Sequence, residues 1–213
     1  MIIFAPFLFS NDQKGAFICL TRDMRVIAGQ FRGARLFSPK DRAIRPTSDR
    51  VREYIFSCLH EDIRGTRVAD LYAGTGAMGI EALSRGAEKV VFVDASKNAI
   101  TVLQRNLQKL DINAAVYRLP VEAFIKRRDT GGPFDFIFCD PPYAFDSFEL
   151  IVSLIKENSL LRPGGLIIYE SDARTNSPLY EDFKIIRQKK LGETRVTFYQ
   201  YENEKDSNLS GYV

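Results

Sequence analysis

Arg67-Val68-Ala69-Asp70-Leu71-Tyr72-Ala73-Gly74-Thr75-Gly76-Ala77-Met78-Gly79 decides the fold. Residues 67–72 are an apolar, strand-like run with one acid inside it. A tight glycine turn follows and opens a helix over residues 77–85. Gly74, Gly76 and Gly79 stand at G-x-G-x-x-G spacing, which turns a chain from a buried strand into a helix near a nucleotide-like ligand. Asp94 follows Gly74 by twenty residues and ends the next strand, 89–94, where its carboxylate can accept ribose hydroxyls. Asp70 is a poor strand residue and needs a partner if buried. A tight turn that holds nothing is the plainer alternative.

Outward from this turn, strand and helix alternate. Ser96 caps a helix with Ile100, Leu103, Leu107 and Leu110 on one face. A short strand at 114–117, a helix at 121–127, a strand at 134–139 and a helix at 148–158 follow. A strand at 165–170 comes after an Arg162-Pro163-Gly164-Gly165 turn. Residues 183–190 and 195–201 read as antiparallel strands joined at Gly192. The pattern implies an α/β domain with a mainly parallel sheet covered on both faces, made mixed by the last hairpin. Upstream, 25–29 and 33–37 read as short strands of a hairpin around a Gly/Arg turn, and 39–46 as a basic loop. Thr47 or Ser48 caps a helix running to about residue 63, with Val51, Ile55, Phe56 and Leu59 on its apolar face. The expected organisation is a peripheral leader, 1–23, a hairpin and basic arm, 24–46, the main domain, 47–201, and a polar tail, 202–213. Met24 begins the better-patterned segment and is a candidate start.

The chain has 213 residues and a net charge of +3, too little to name a partner by itself. Residues 24–67 hold ten Lys/Arg against five Asp/Glu, an excess of +5, while residues 68–213 come to −2. Such an excess suits a nucleic-acid-contacting arm, or simply a solvated basic face. Cys19, Cys58 and Cys139 form no CxxC pair, so neither a zinc site nor a disulfide framework is expected, and a reducing cytoplasm is. His60 is the single histidine, which makes a histidine-based metal site or triad improbable. No apolar run approaches the length of a membrane span.

Asp140-Pro141-Pro142-Tyr143 ends the strand 134–139. An acid, two prolines and an aromatic ring make a stiff turn carrying acceptors and a stacking face. The exocyclic amine of a base is a poor nucleophile because its lone pair is delocalised into the ring. Acceptors fixed on the amine protons, the Asp140 carboxylate and the Pro141 carbonyl, help localise that pair. Tyr143 can stack on the base and hold the amine in line with a methyl donor. The glycine turn alone suits a dinucleotide enzyme and a methyltransferase about equally; this second turn, for which hydride transfer has no use, favours methyl transfer. A paired base must be flipped out, whereas a loop base is already available.

In this order the motifs resemble class I S-adenosylmethionine (SAM)-dependent methyltransferases that methylate amines. They are most similar to the RsmD family, bacterial enzymes that methylate guanine N2 in 16S ribosomal RNA. The resemblance covers about residues 24–200. It rests on Met24-Arg25-Val26-Ile27-Ala28-Gly29, the Arg45-Pro46-Thr47-Ser48-Asp49-Arg50-Val51-Arg52-Glu53 segment, residues 70–86, the 140–143 turn and residues 161–170. It implies a seven-stranded Rossmann-like domain behind a small N-terminal hairpin, with no metal and with S-adenosylhomocysteine as product. Tyr72, Ala73, Gly74 and Gly76 would line the cofactor site. Asp94 and Ala95 would meet its ribose. Asp70 and Thr47 would lie near its amino-acid end. Arg25, Arg32, Arg35, Arg45 and Arg50 are the phosphate candidates. Where such enzymes often carry Asp or Asn for adenine, this chain reads Arg118-Leu119-Pro120-Val121-Glu122, leaving the Val121 amide, with Glu122 second. The implied partner is 16S rRNA, within the 30S subunit or an assembly intermediate, met by a monomer. The same chemistry on adenine N6 or cytosine N4 is the alternative, since the turn binds an amine and not a particular base.

Overall fold

The computed structural model describes residues 24–38, 49–142 and 148–202. Strands β1 (Arg67–Leu71), β2 (Lys89–Val93), β3 (Ala115–Tyr117), β4 (Phe134–Cys139) and β5 (Leu161–Asp172) pair in parallel. Strands β6 (Phe183–Leu191) and β7 (Thr194–Tyr201) complete a seven-stranded sheet in the order β3-β2-β1-β4-β5-β7-β6. β7 is antiparallel to both its neighbours and lies between β5 and β6. The final hairpin is therefore as expected, and its second strand is the inner one. Sequence composition carries the reason. Val196, Phe198 and Tyr199 of β7 are buried, whereas β6 exposes Lys184, Arg187, Lys189 and Lys190 as a charged edge.

Adjacent strand residues point to opposite faces, so each strand feeds two cores. On one face Val68, Val90, Phe92, Phe136 and Phe138 pack against helices α1 (Asp49–Leu59), α2 (Ala77–Ser84) and α3 (Lys97–Lys109). On the other, Ala69, Leu71, Val91, Val93 and Ile137 meet α4 (Val121–Ile125) and α5 (Phe148–Glu157). The Ser96 cap forms as expected, its Oγ accepting the Ala99 amide at 3.3 Å. The helix expected to run from its cap to residue 63 is α-helical only to Leu59 and closes in a 3-10 turn at His60–Ile63; its capping positions 47 and 48 lie outside the described residues.

The Arg162-Pro163-Gly164-Gly165 stretch corrects the sequence reading. It is an excursion within β5 rather than a turn before it: Leu161 already pairs with Phe134, and regular pairing resumes at Phe136 with Leu166.

The basic excess at the N-terminus begins in a segment that is part of the core. Met24, Val26 and Leu36 are buried with α1, α2 and α3. Met24–Val26 and Ala34–Leu36 pair antiparallel through the Leu36 amide to Met24 (2.7 Å) and the Val26 amide to Ala34 (2.9 Å), a minimal version of the expected hairpin. Three fully buried side chains clamp it. Glu81 accepts the Ile27 and Ala28 amides at 2.8 and 3.0 Å; Arg52 donates to the Arg25 carbonyl at 2.8 Å; Asn106 accepts the Phe37 amide at 2.7 Å. Among the described residues no helix is long and apolar enough to cross a membrane.

Candidate active site

The strand order reverses between β1 and β4, and an α/β sheet opens a crevice beyond its carboxyl ends at such a point. Pairing aligns Leu71 with Val93 and with Cys139, so Tyr72, Asp94 and Asp140 each lie one residue past the same sheet level. The glycine turn and the acid-proline turn thus face each other across the switch, though 66 positions apart along the chain (74 to 140).

The glycine turn is built as much for packing as for a ligand. Tyr72 takes a left-handed φ of 61°, a strained value for a residue with a side chain. A Cβ at Gly76 would stand 2.2 Å from the Leu103 side chain, and one at Gly79 would stand 2.3 Å from the Phe92 ring. These two glycines let α2 and α3 close down on the sheet directly behind the turn.

Asp94 fixes the turn from the side. One carboxylate oxygen accepts the Gly74 amide at 2.8 Å and the other the Ser96 amide at 2.7 Å. The half-exposed carboxylate keeps lone pairs on its outer side for a ligand hydroxyl. Asp70 lies beneath the turn, 3% exposed, accepting the Gly79 amide at 2.9 Å. That bond answers the expectation of a partner and places the acid at the start of α2, as a tertiary cap. Burial pushes its carboxyl up to about 8; the Gly79 amide opposes this, and the Asp94 and Asp140 charges add to it.

Asp140 is half-buried, Pro141 buried and Pro142 exposed. Tyr143, Thr47 and Arg45 lie outside the described residues. Val121 is buried at the start of α4, beside half-buried Glu122, and Ala95 is exposed on the rim. Asp70, Asp94 and Asp140 therefore gather at one pole, beside Cys139, whose thiol is pushed well up by burial first and then by the charges of Asp140, Glu122, Asp70 and Glu170. Such a pole favours a cationic ligand. Arg25, Arg32, Arg35 and Arg50 are exposed, the first three along the hairpin over α2 and α3. Among the described residues no cluster of His, Cys, Asp and Glu could hold a metal ion.

The sequence reading missed two parts. Phe148 stacks on Tyr169 at 3.6 Å between ring centroids, with Tyr180 and Tyr199 against it, and forms an apolar wall next to Cys139, the strand neighbour of Tyr169. Asn106 ties the hairpin to the glycine turn: its Nδ2 donates to the Phe37 carbonyl at 3.1 Å and to the Thr75 carbonyl at 2.9 Å. Thr75 also reaches the Met24 sulfur at 3.4 Å. A buried asparagine on the apolar stripe of α3 was the available signal.

An antiparallel seventh strand slotted between β5 and β6, a glycine turn after β1, an acid after β2 and Asp-Pro-Pro after β4 define the methyltransferase class of α/β domain. The fold is shared with ribosomal protein L11 methylase from Lactobacillus delbrueckii subsp. bulgaricus, at a TM-score of 0.53 and 20% identity over 72% of this chain and 80% of that one. The family model described as Conserved hypothetical protein 95 matches residues 24–200, and the chain belongs to that family. Two proteins named ribosomal RNA small subunit methyltransferase D are similar to it. The Haemophilus influenzae protein is 35% identical over 84% of this chain and 94% of its own length, and that of Escherichia coli 33% identical over 87% and 93%. The solved structure of yhhF from Escherichia coli superposes with a TM-score of 0.76 at 33% identity, over 86% of this chain and 100% of that one.

Proposed function

We propose that this chain transfers the methyl group of SAM to the exocyclic N2 of a guanine in 16S rRNA of the small ribosomal subunit. The observation that carries the reading is the placement of Asp140 opposite the Gly74 turn across the β1–β4 switch. An amine held there lies beside whatever occupies the glycine turn. Relatives named for methylation of small-subunit ribosomal RNA support the substrate.

The residues present fit SAM. Asp94 would offer its outer lone pairs to the ribose, and the Val121 amide, with Glu122, would meet the adenine edge. Asp70 stays beneath the turn, holding α2 in place and leaving the amino-acid end to the backbone of residues 72–76 and to Thr47. The cofactor supplies an electrophilic methyl on a sulfonium, a leaving group good enough to need no metal. Asp140 accepts one amine proton in a hydrogen bond and the Pro141 carbonyl a second, which draws the nitrogen lone pair out of the ring. Pro141 and Pro142 keep these acceptors rigid, so no reorganisation accompanies the reaction. Tyr143 stacks on the base. After transfer the amine proton leaves the nitrogen, and the Asp140 carboxylate is the group assigned to accept it. The exposed arginines Arg25, Arg32, Arg35 and Arg50, with Arg45, contact phosphates. The substrate places the work in the cytoplasm, on the 30S subunit or an assembly intermediate, with the enzyme as a monomer.

Labelled SAM offered with 16S rRNA, and separately with 30S subunits lacking the modification, tests the reading when followed by nucleoside analysis. N2-methylguanosine is the expected product. Methylated adenosine or cytidine keeps the mechanism and overturns the base; no transfer to either substrate overturns the function.

A further inference from the structure

Helix α3 carries Lys97, Arg105 and Lys109 and no acid in its thirteen residues. The whole chain has 27 acids among 213 residues, and an ordinary solvated helix face mixes both signs. Lys97 stands in the first turn, where a cation opposes the helix dipole, so helix stability does not account for it. All three residues are exposed, along with Asn98, Thr101 and Gln108.

The position of this face matters more than its charge. Lys97 follows directly on Asp94 and Ser96 at the rim of the crevice. At the far end Lys109 donates to the Arg35 carbonyl at 2.7 Å and lies over the Phe37 ring at 5.0 Å, which joins α3 to the hairpin. From Lys97 to Lys109 the helix rises about 18 Å, the length of about five nucleotides of a stacked strand. The acidic pole repels phosphates, so a strand delivering one base to Asp140 needs cations beside the crevice.

We propose that the exposed face of α3, through Lys97 and Arg105, continues the hairpin's arginine strip into one binding surface for an RNA phosphate backbone. This rests on the RNA substrate proposed above. Lys109 joins the two parts and is left intact in the test.

The double variant Lys97→Gln/Arg105→Gln is compared with Lys189→Gln/Lys190→Gln. The latter removes the same charge from the edge strand β6, at the opposite side of the sheet from α3. Binding to 16S rRNA is measured over a salt series, with SAM affinity and melting temperature alongside. The α3 variant is expected to lower the slope of log K against log salt by about 1.4–1.8, two phosphate contacts' worth, and to weaken binding about 15- to 30-fold near 0.15 M salt. Its SAM affinity and melting temperature stay at wild-type values, and the β6 variant keeps the wild-type slope. An unchanged slope in the α3 variant overturns the proposal, as does an equal fall in the β6 variant, which makes the effect one of net charge. A wild-type chain that methylates RNA while the α3 variant binds normally sinks this inference alone; a wild-type chain that neither binds nor methylates RNA sinks the substrate reading with it.

Discussion

Asp70→Asn tests how the glycine turn is held. Asparagine has the shape of a protonated aspartic acid, and its oxygen can still accept the Gly79 amide seen at 2.9 Å. The difference is ionisation. Asp70 has its carboxyl raised from 3.8 to about 8, chiefly by burial. The native state therefore binds a proton that the unfolded chain releases, and stability must fall as pH rises from about 4 to about 8. Below pH 4 both states are protonated and the effect vanishes. The slope is at most about 1.4 kcal/mol per pH unit, so by pH 7 the accumulated cost is about 4 kcal/mol, an upper figure. The Asn variant lacks this cost. Its advantage over wild type should be near zero at pH 4 and grow through pH 7, where each 1 kcal/mol is worth about 2–4 °C in melting temperature. Thermal or urea unfolding of both proteins at several pH values measures this. An advantage that is flat with pH, or that grows toward acid, refutes the reasoning. Because Asp70 reaches the turn through Gly79, the variant should bind SAM within a few-fold of wild type.

The remaining expectations concern the crevice and its support. Asp140→Ala should abolish turnover while SAM still binds by calorimetry; loss of cofactor binding with chemistry retained would reverse the roles assigned here. Asp94→Asn can accept only one of the two amides Asp94 now holds, at 2.8 and 2.7 Å, so SAM affinity should fall about 10- to 100-fold, about 1.4–2.8 kcal/mol. A dissociation constant within twofold of wild type would remove Asp94 from the cofactor site. Asn106→Ala strands the backbone groups of half-buried Phe37 and buried Thr75 and should cost about 2–4 kcal/mol in urea unfolding, with the Michaelis constants for RNA and for SAM rising together. A rise in only one of them would mean that the hairpin and the glycine turn are not joined through this side chain.

Local order was legible because local residues set it. The period of apolar residues marks α3, Ser96 is its cap, and Gly74-Thr75-Gly76 between a strand and a helix leaves few conformations open. Asp94 and Asp140 could be singled out because each ends an apolar run. Their meeting across the switch depends on β4 pairing beside β1 rather than beside β3, a choice of partner that no nearby residue encodes. Leu161 fell outside the expected strand 165–170 because the Arg162-Pro163-Gly164-Gly165 stretch reads as a turn, and only its pairing with Phe134 makes it strand. Likewise the glycine spacing spoke of a ligand, whereas the Leu103 and Phe92 side chains behind Gly76 and Gly79 give those two glycines a packing role as well. The α/β class and the two turns could be read from the chain alone, since they rest on residues close along it. The tertiary structure alone decided that β7 is the inner strand, that Asp70 lies under the turn with a raised carboxyl, and that Asn106 binds the N-terminal hairpin to it. Burial and long-range hydrogen bonds are properties of the packed chain, and no stretch of sequence carries them alone.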